Sequence, residues 1–197
     1  MSVLKIKIGV TGGIGSGKSY VCRILEEKGV PVFYSDDEAR REMISNPLIC
    51  SDLKALLGDR VYDPVGNLNK SVVRDYISRG KDCAEEINKI VHPRLKERLC
   101  RLLEECDSPL VVMECALLFE TGYDDAVDYT VLVTAPEDLR IERVMERDHI
   151  TKEQAKALID LQMSEDEKIR QADYVIVNDE VLDLYSQLEG IPGFKFF

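Results

Sequence analysis

Lys18 and Ser19 close the run Gly12-Gly13-Ile14-Gly15-Ser16-Gly17-Lys18-Ser19, whose spacing is that of a phosphate-binding loop, G-x-x-x-x-G-K-[ST]. The chemistry this pattern supports is the holding of a nucleoside triphosphate. Lys18 reaches the β- and γ-phosphates, and the Ser19 hydroxyl is placed to ligate Mg²⁺. The glycines let the main chain approach the anion in conformations closed to other residues. Backbone N–H groups from Gly13 to Tyr20 then face the phosphates at the start of a helix. A glycine-rich structural turn is the competing reading of the same residues.

Asp36 follows a short apolar strand and is placed to face the γ-phosphate. There a carboxylate accepts the proton of an attacking hydroxyl, or holds a Mg²⁺-bound water. The same side chain would serve as a helix cap, so both readings stand. Glu114 ends an apolar strand, where a carboxylate holds the water shell of the metal; the alternative is an exposed strand-end acid. Arg140, Arg143 and Arg147 recur at three and four residues, near one face of one helix. Such a stripe clamps phosphates, or else pairs with Glu137, Glu142 and Glu146 as a solvated face. His92, before Pro93, either donates to an acceptor's phosphate or ribose or marks a helix cap or kink, the reading that spacing alone favours.

The elements that must position these groups are legible from periodicity. Ile6 to Thr11 reads as a buried strand and Tyr20 to Glu27 as a helix; Gly29 to Phe33 gives a second short strand, with Ser35 or Asp36 as N-cap of a helix through Met43. Residues 51–57, 70–79 and 83–105 look helical, His92-Pro93 breaking or kinking the last. Strand character returns at 110–114, 129–133 and 174–177. Beyond the fourth strand, the arginine helix, a turn and cap at 148–151 and an amphipathic helix at 152–162 form a helical hairpin, the build of a mobile lid. The expected fold is α/β: a three-layer phosphate-loop NTPase fold whose five-stranded, mostly parallel sheet is flanked by helices. One domain, 1–197, divides into a core (1–45, 108–139, 173–197), a helical acceptor region at about 46–107 and a lid at about 140–172.

The chain carries 26 Lys and Arg against 37 Asp and Glu, a net charge of −11, which leaves no broad basic surface for nucleic acid. Six cysteines without a C-x-x-C pair read as reduced core residues of a cytosolic protein. No apolar run spans a bilayer, and Met1 to Lys5 enters a strand without a signal peptide, so no membrane association is expected. The expected partner is a small molecule, and the expected state a monomer or small homo-oligomer.

Taken together, Gly12 to Ser19, Tyr34-Ser35-Asp36, His92-Pro93, Ala116-Leu117-Leu118-Phe119-Glu120, Arg143 to Asp148, Gln162-Met163 and Ala172-Asp173-Tyr174-Val175-Ile176-Val177-Asn178 resemble the dephospho-coenzyme A kinase family over nearly the whole chain. The resemblance implies transfer of the γ-phosphoryl of ATP, with Mg²⁺, to the ribose 3′-hydroxyl of dephospho-CoA. It makes Asp36 the base beside Lys18, and Arg147 a catalytic lid arginine. Arg143 and Asn178 fall to the ATP site, Asn178 beside the adenine pocket, while His92, Leu117 and Glu120 fall to the acceptor.

Four positions depart from the family pattern. Tyr34 replaces the first Asp of its D-x-D element, Tyr20 the threonine after G-K-S, Ala116 the proline of P-L-L-F-E, and Leu158 a common lid arginine. None strikes Lys18, Ser19 or Asp36. A GTPase switch would need N-K-x-D, and neither Asn69-Lys70-Ser71-Val72 nor Asn88-Lys89-Ile90-Val91 supplies it. Another small-molecule or nucleoside monophosphate kinase would share loop, base and lid, and differ in the helical insertion.

Overall fold

The computed structural model describes residues 5–194. In chain order β1 (Ile6–Thr11) leads through the glycine loop into α1 (Lys18–Glu27), followed by β2 (Val32–Tyr34) and α2 (Ser35–Ser45). Helices α3 (Pro47–Leu57), α4 (Lys70–Ile77) and α5 (Lys81–Glu105) come next, then β3 (Leu110–Glu114) and β4 (Tyr129–Thr134). The chain continues with α6 (Glu137–Asp148), α7 (Lys152–Asp160), α8 (Glu165–Gln171), β5 (Tyr174–Val177) and α9 (Leu184–Glu189).

The strands form one sheet in the order β2-β3-β1-β4-β5, and β1–β3, β1–β4 and β4–β5 pair in parallel. Strand β1 is therefore central, with Ile8 opposite Val112 on one side and Tyr129 on the other. Ile8, Val10, Val111, Val112, Met113 and Val131 to Val133 are all inaccessible to solvent, as the continuous apolar runs require of a sheet covered on both faces. Each such side chain contributes about 1.5–3 kcal/mol by leaving water. This α/β sheet, with its strands at the expected places, is the architecture the sequence anticipates.

The chain divides into two compact units: one comprises the residues up to Phe33 together with those from Leu103 onward, the other Tyr34–Leu102. The second unit is helical, and within it Arg98 pairs with buried Glu38 at 3.3 Å while Glu38 also meets Arg41.

Local details differ from the sequence reading at α2 and α5, at the start of α3, and in the added helices α8 and α9. Tyr34, not Ser35 or Asp36, is the N-cap of α2, and it makes no side-chain capping bond; Asp36, Asp37 and Glu38 occupy the first turn, where negative charge favours the helix dipole. Pro93 neither ends nor divides α5, which runs through it for 25 residues. Ile87, Val91, Leu95, Leu99 and Leu103, buried at every fourth position, outweigh the one hydrogen bond a proline removes.

The expected hairpin is present. His149 takes a left-handed conformation (φ 55°) to stop α6, and Thr151 opens α7 in a reciprocal capping box with Gln154. Ile141 and Val144 of α6 then bury against Ala155 and Ile159 of α7, with Ile14 of the glycine loop packed on the same cluster.

Candidate active site

The loop between β1 and α1 is held from three sides. Gly17 is the N-cap of α1 with φ 92°, and no side chain caps the helix; Tyr20 N is taken by Gly17 O at 2.9 Å, which leaves the amides of Lys18 and Ser19 uncapped by any side chain. Elsewhere Asn46, Asn69, Thr151, Ser164 and Asp183 cap α3, α4, α7, α8 and α9 with their side chains. Asn178, just past β5, donates its amide to Ser16 O at 2.9 Å. A Cβ on Gly17 would stand 2.0 Å from that same amide nitrogen.

Arg140, only 4 % exposed, lies against the other end of the loop. Its Nε donates to Ile14 O at 3.0 Å, its Nη1 pairs with Glu165 at 2.9 Å, and a Cβ on Gly13 would meet its Nη2 at 2.1 Å. Gln162, at the end of the hairpin, accepts from Ile14 N at 2.8 Å. Arg143 donates from Nη1 to Gly15 O at 3.3 Å and from Nη2 to Asn178 O at 3.2 Å, and pairs with Glu180 at 2.9 Å. The arginine stripe is thus split: Arg140 and Arg143 tie down the loop, whereas Arg147 is more than half exposed and forks both Asp148 oxygens at 2.8 and 2.7 Å.

Lys18 and Glu114 come together at 3.8 Å, each side chain about nine-tenths buried. Close behind, Cys22 has its thiol pushed well above the ordinary range, by burial first and then by the Glu114 charge. Glu120 accepts from Met163 N at 3.3 Å and lies 4.0 Å from the Lys168 ammonium. Leu117, on the same post-strand turn, is exposed, and its carbonyl accepts from Thr121. Asp36 and His92 belong to the other unit: Asp36 is exposed in the first turn of α2, and half-buried His92 has its pKa held below the usual value by burial.

Beside the loop opens a cavity of about 710 Å³ lined by Gly17, Tyr20, Arg143, Asn178 and the segment 180–185. Its size suits a nucleoside. Sequence reasoning found Asn178 but missed that segment, whose only signal is the apolar pair Val181-Leu182 left exposed beyond a strand end. It also missed Lys168, which is wholly buried on α8 with no hydrogen-bond partner at Nζ. The fit to a polyphosphate is direct: uncapped helix amides, glycines whose neighbours leave no room for a Cβ, and buried Ser16 Oγ and Lys168 Nζ lacking acceptors.

A glycine loop closed by Lys18 and Ser19 on the central strand of a parallel α/β sheet defines a phosphate-loop kinase fold. The profile of the dephospho-CoA kinase family matches residues 6–183. The chain belongs to that family, and is a kinase. It is 41% identical to a dephospho-CoA kinase of Bacteroides fragilis over 195 residues, 98% of this chain and 94% of that one. A crystal structure of a Thermus thermophilus protein superposes with a TM-score of 0.75 at 33% identity, covering 88% of both chains. Dephospho-CoA kinase from Campylobacter jejuni shares the fold at 22% identity and a TM-score of 0.65, also over 88% of both chains.

Proposed function

We propose that this protein transfers the γ-phosphoryl group of ATP to the ribose 3′-hydroxyl of dephospho-CoA, giving coenzyme A and ADP, the last step of coenzyme A synthesis. The observation that carries the reading is the locked loop with Lys18 at Glu114, in a chain that matches this kinase family nearly end to end. The base sits in the cavity at Tyr20 and Asn178, and the phosphates lie along the remaining loop amides between Gly13 and Tyr20, since Ile14 N, Ser16 N and Tyr20 N are bonded to Gln162, Gly13 O and Gly17 O. Lys18 draws charge from the β–γ bridge. Asp36 takes the proton of the 3′-hydroxyl as its oxygen attacks the γ-phosphorus and the bond to the β–γ bridging oxygen breaks, releasing ADP. His92, Leu117 and Glu120 contact the acceptor, and Arg147 turns from Asp148 to the phosphoryl group.

Magnesium fits as the metal, and when bound it would neutralise charge on the triphosphate. The Ser19 hydroxyl on the first turn of α1 would hold it, with Glu114 behind its water shell. Among the described residues no cluster of three His, Cys, Asp or Glu side chains could form a protein-only cage, in keeping with an ion held mainly by substrate phosphates and water. The protein acts on this small molecule in the cytosol, as a monomer or small homo-oligomer; none of its six cysteines is in a disulfide, and no described helix is long and apolar enough to cross a membrane.

The test is ATP consumption with Mg²⁺ and dephospho-CoA, AMP, UMP or adenosine at matched concentration, the product identified by mass. Turnover confined to dephospho-CoA, with one phosphate added, is expected. Activity on a monophosphate and none on dephospho-CoA would overturn the acceptor assignment.

A further inference from the structure

Three buried side-chain polar atoms among the described residues have no hydrogen-bond partner, Ser16 Oγ, Glu165 Oε1 and Lys168 Nζ, and all three lie on the loop or on α8. Lys168 is the costly one. It is wholly buried, and an ammonium without an acceptor forfeits its hydration for nothing in return. Its nearest counter-charge, Glu120 Oε1, is 4.0 Å away and already accepts from Met163 N. Glu165, one turn earlier on α8, spends its other oxygen on Arg140. Burial holds the Lys168 ammonium below its ordinary range; Glu120 and Glu165 oppose this, and the charges of Arg140 and Lys18 reinforce it. The Lys168 donors are therefore left unspent in a cluster where Glu114, Glu165 and Glu120 balance the charges of Lys18, Arg140 and Lys168.

Its place along the loop follows from the anchors. The nucleoside cavity opens at the Gly17 end, whereas Arg140, which is bonded to Glu165 of the same short helix, holds Ile14 at the opposite end. A nucleotide with its base in that cavity runs its phosphates toward Lys18 and the Gly13–Ile14 end, so its last phosphate arrives beside Arg140, whose partner Glu165 stands one turn before Lys168 on α8. Resting on the kinase reading above, we infer that Lys168 is a further phosphate-binding residue, whose ammonium serves the terminal phosphate of the bound triphosphate alongside Lys18. Its flexible four-carbon stem gives the reach this needs.

The test compares Lys168→Met with the parent by calorimetric titration of AMP-PNP and of ADP in Mg²⁺. Loss of a charge-assisted contact to the terminal phosphate weakens AMP-PNP by about 10- to 100-fold. ADP is expected within about twofold of the parent, and Lys168→Arg recovers most of the loss. Equal weakening of both nucleotides, or no weakening, overturns the assignment, since a merely structural lysine would not distinguish them. If the Met variant does not fold, Lys168→Gln is titrated in its place with the same selective loss expected and the same outcomes overturning it. The parent's turnover on dephospho-CoA separates the two readings: turnover with an unselective variant sinks Lys168 alone, and no turnover sinks the acceptor assignment while the titration still reads Lys168.

Discussion

Asn178 reaches across 162 positions of chain to bond Ser16 O at 2.9 Å, so the end of β5 fixes the curvature of the loop that follows β1. Its amide nitrogen also occupies the space a Gly17 side chain would need. Asn178→Ala is expected to lower stability by about 1 kcal/mol, the net worth of one hydrogen bond, and to weaken ATP binding more than the melting shift alone explains. Gly17→Ala should do worse on binding, because a Cβ at φ 92° is strained as well as obstructed. Paired melting and nucleotide titrations check both; unaltered ATP affinity in Gly17→Ala would show that the loop relaxes freely.

Lys18→Ala and Asp36→Asn are expected to fold and to lose turnover. For Asp36→Asn the fall should be about 10²–10⁴-fold in kcat, the usual worth of general base catalysis, with ATP affinity preserved. Because Asp36 makes no capping bond in α2 and gives the helix only its first-turn charge, the Asn variant should lose no more than about 1 kcal/mol of stability. A near-parental rate in a folded Asp36→Asn enzyme removes it as the base.

Asp173 accounts structurally for part of the motif that ends in Asn178. Its Oδ2 accepts from Thr130 N at 2.7 Å and Thr130 Oγ1 at 2.8 Å, while Asp173 N donates to Thr130 Oγ1 at 3.0 Å, stitching the start of β5 to β4. Asp173→Ala leaves a buried amide unpaired and should cost about 2–3 kcal/mol in denaturant melts. With β5 loosened, the Asn178 contact should suffer too, so KM for ATP is expected to rise.

The depressed His92 pKa carries a pH dependence. Burial favours neutral imidazole in the folded state, so below about the unfolded value of 6.5 the unfolded chain binds more protons than the folded one. Stability contributed by neutral His92 is therefore present above that pH and lost as pH falls through it. The difference in unfolding free energy between pH 7.5 and 5.5 should shrink in His92→Gln; an unchanged slope would assign it to other groups.

Much of this was legible beforehand because local rules and tertiary demands agree. The glycine loop, the five strands and the capped hairpin each follow from residue types at fixed spacings. What escaped depends on distant partners. Nothing near Arg140 in sequence says that Ile14 and Glu165 will claim it while Arg147 stays at the surface, and nothing around Lys168 marks it for complete burial. Pro93 misled for the same reason: local propensity ends a helix there, and a stripe of buried side chains carries it on.

Ile14 gives its N–H to Gln162 and its C=O to Arg140, and lays its side chain on the cluster joining α6 to α7. Peptide planes on both sides of this one residue are thereby gripped by two points that bracket the hairpin. The helical pair and the phosphate cradle are consequently a single lever with its fulcrum at Ile14. Any swing of the hairpin tip must bend between those two grips, and a tug on the tip is registered first as torque on the cradle.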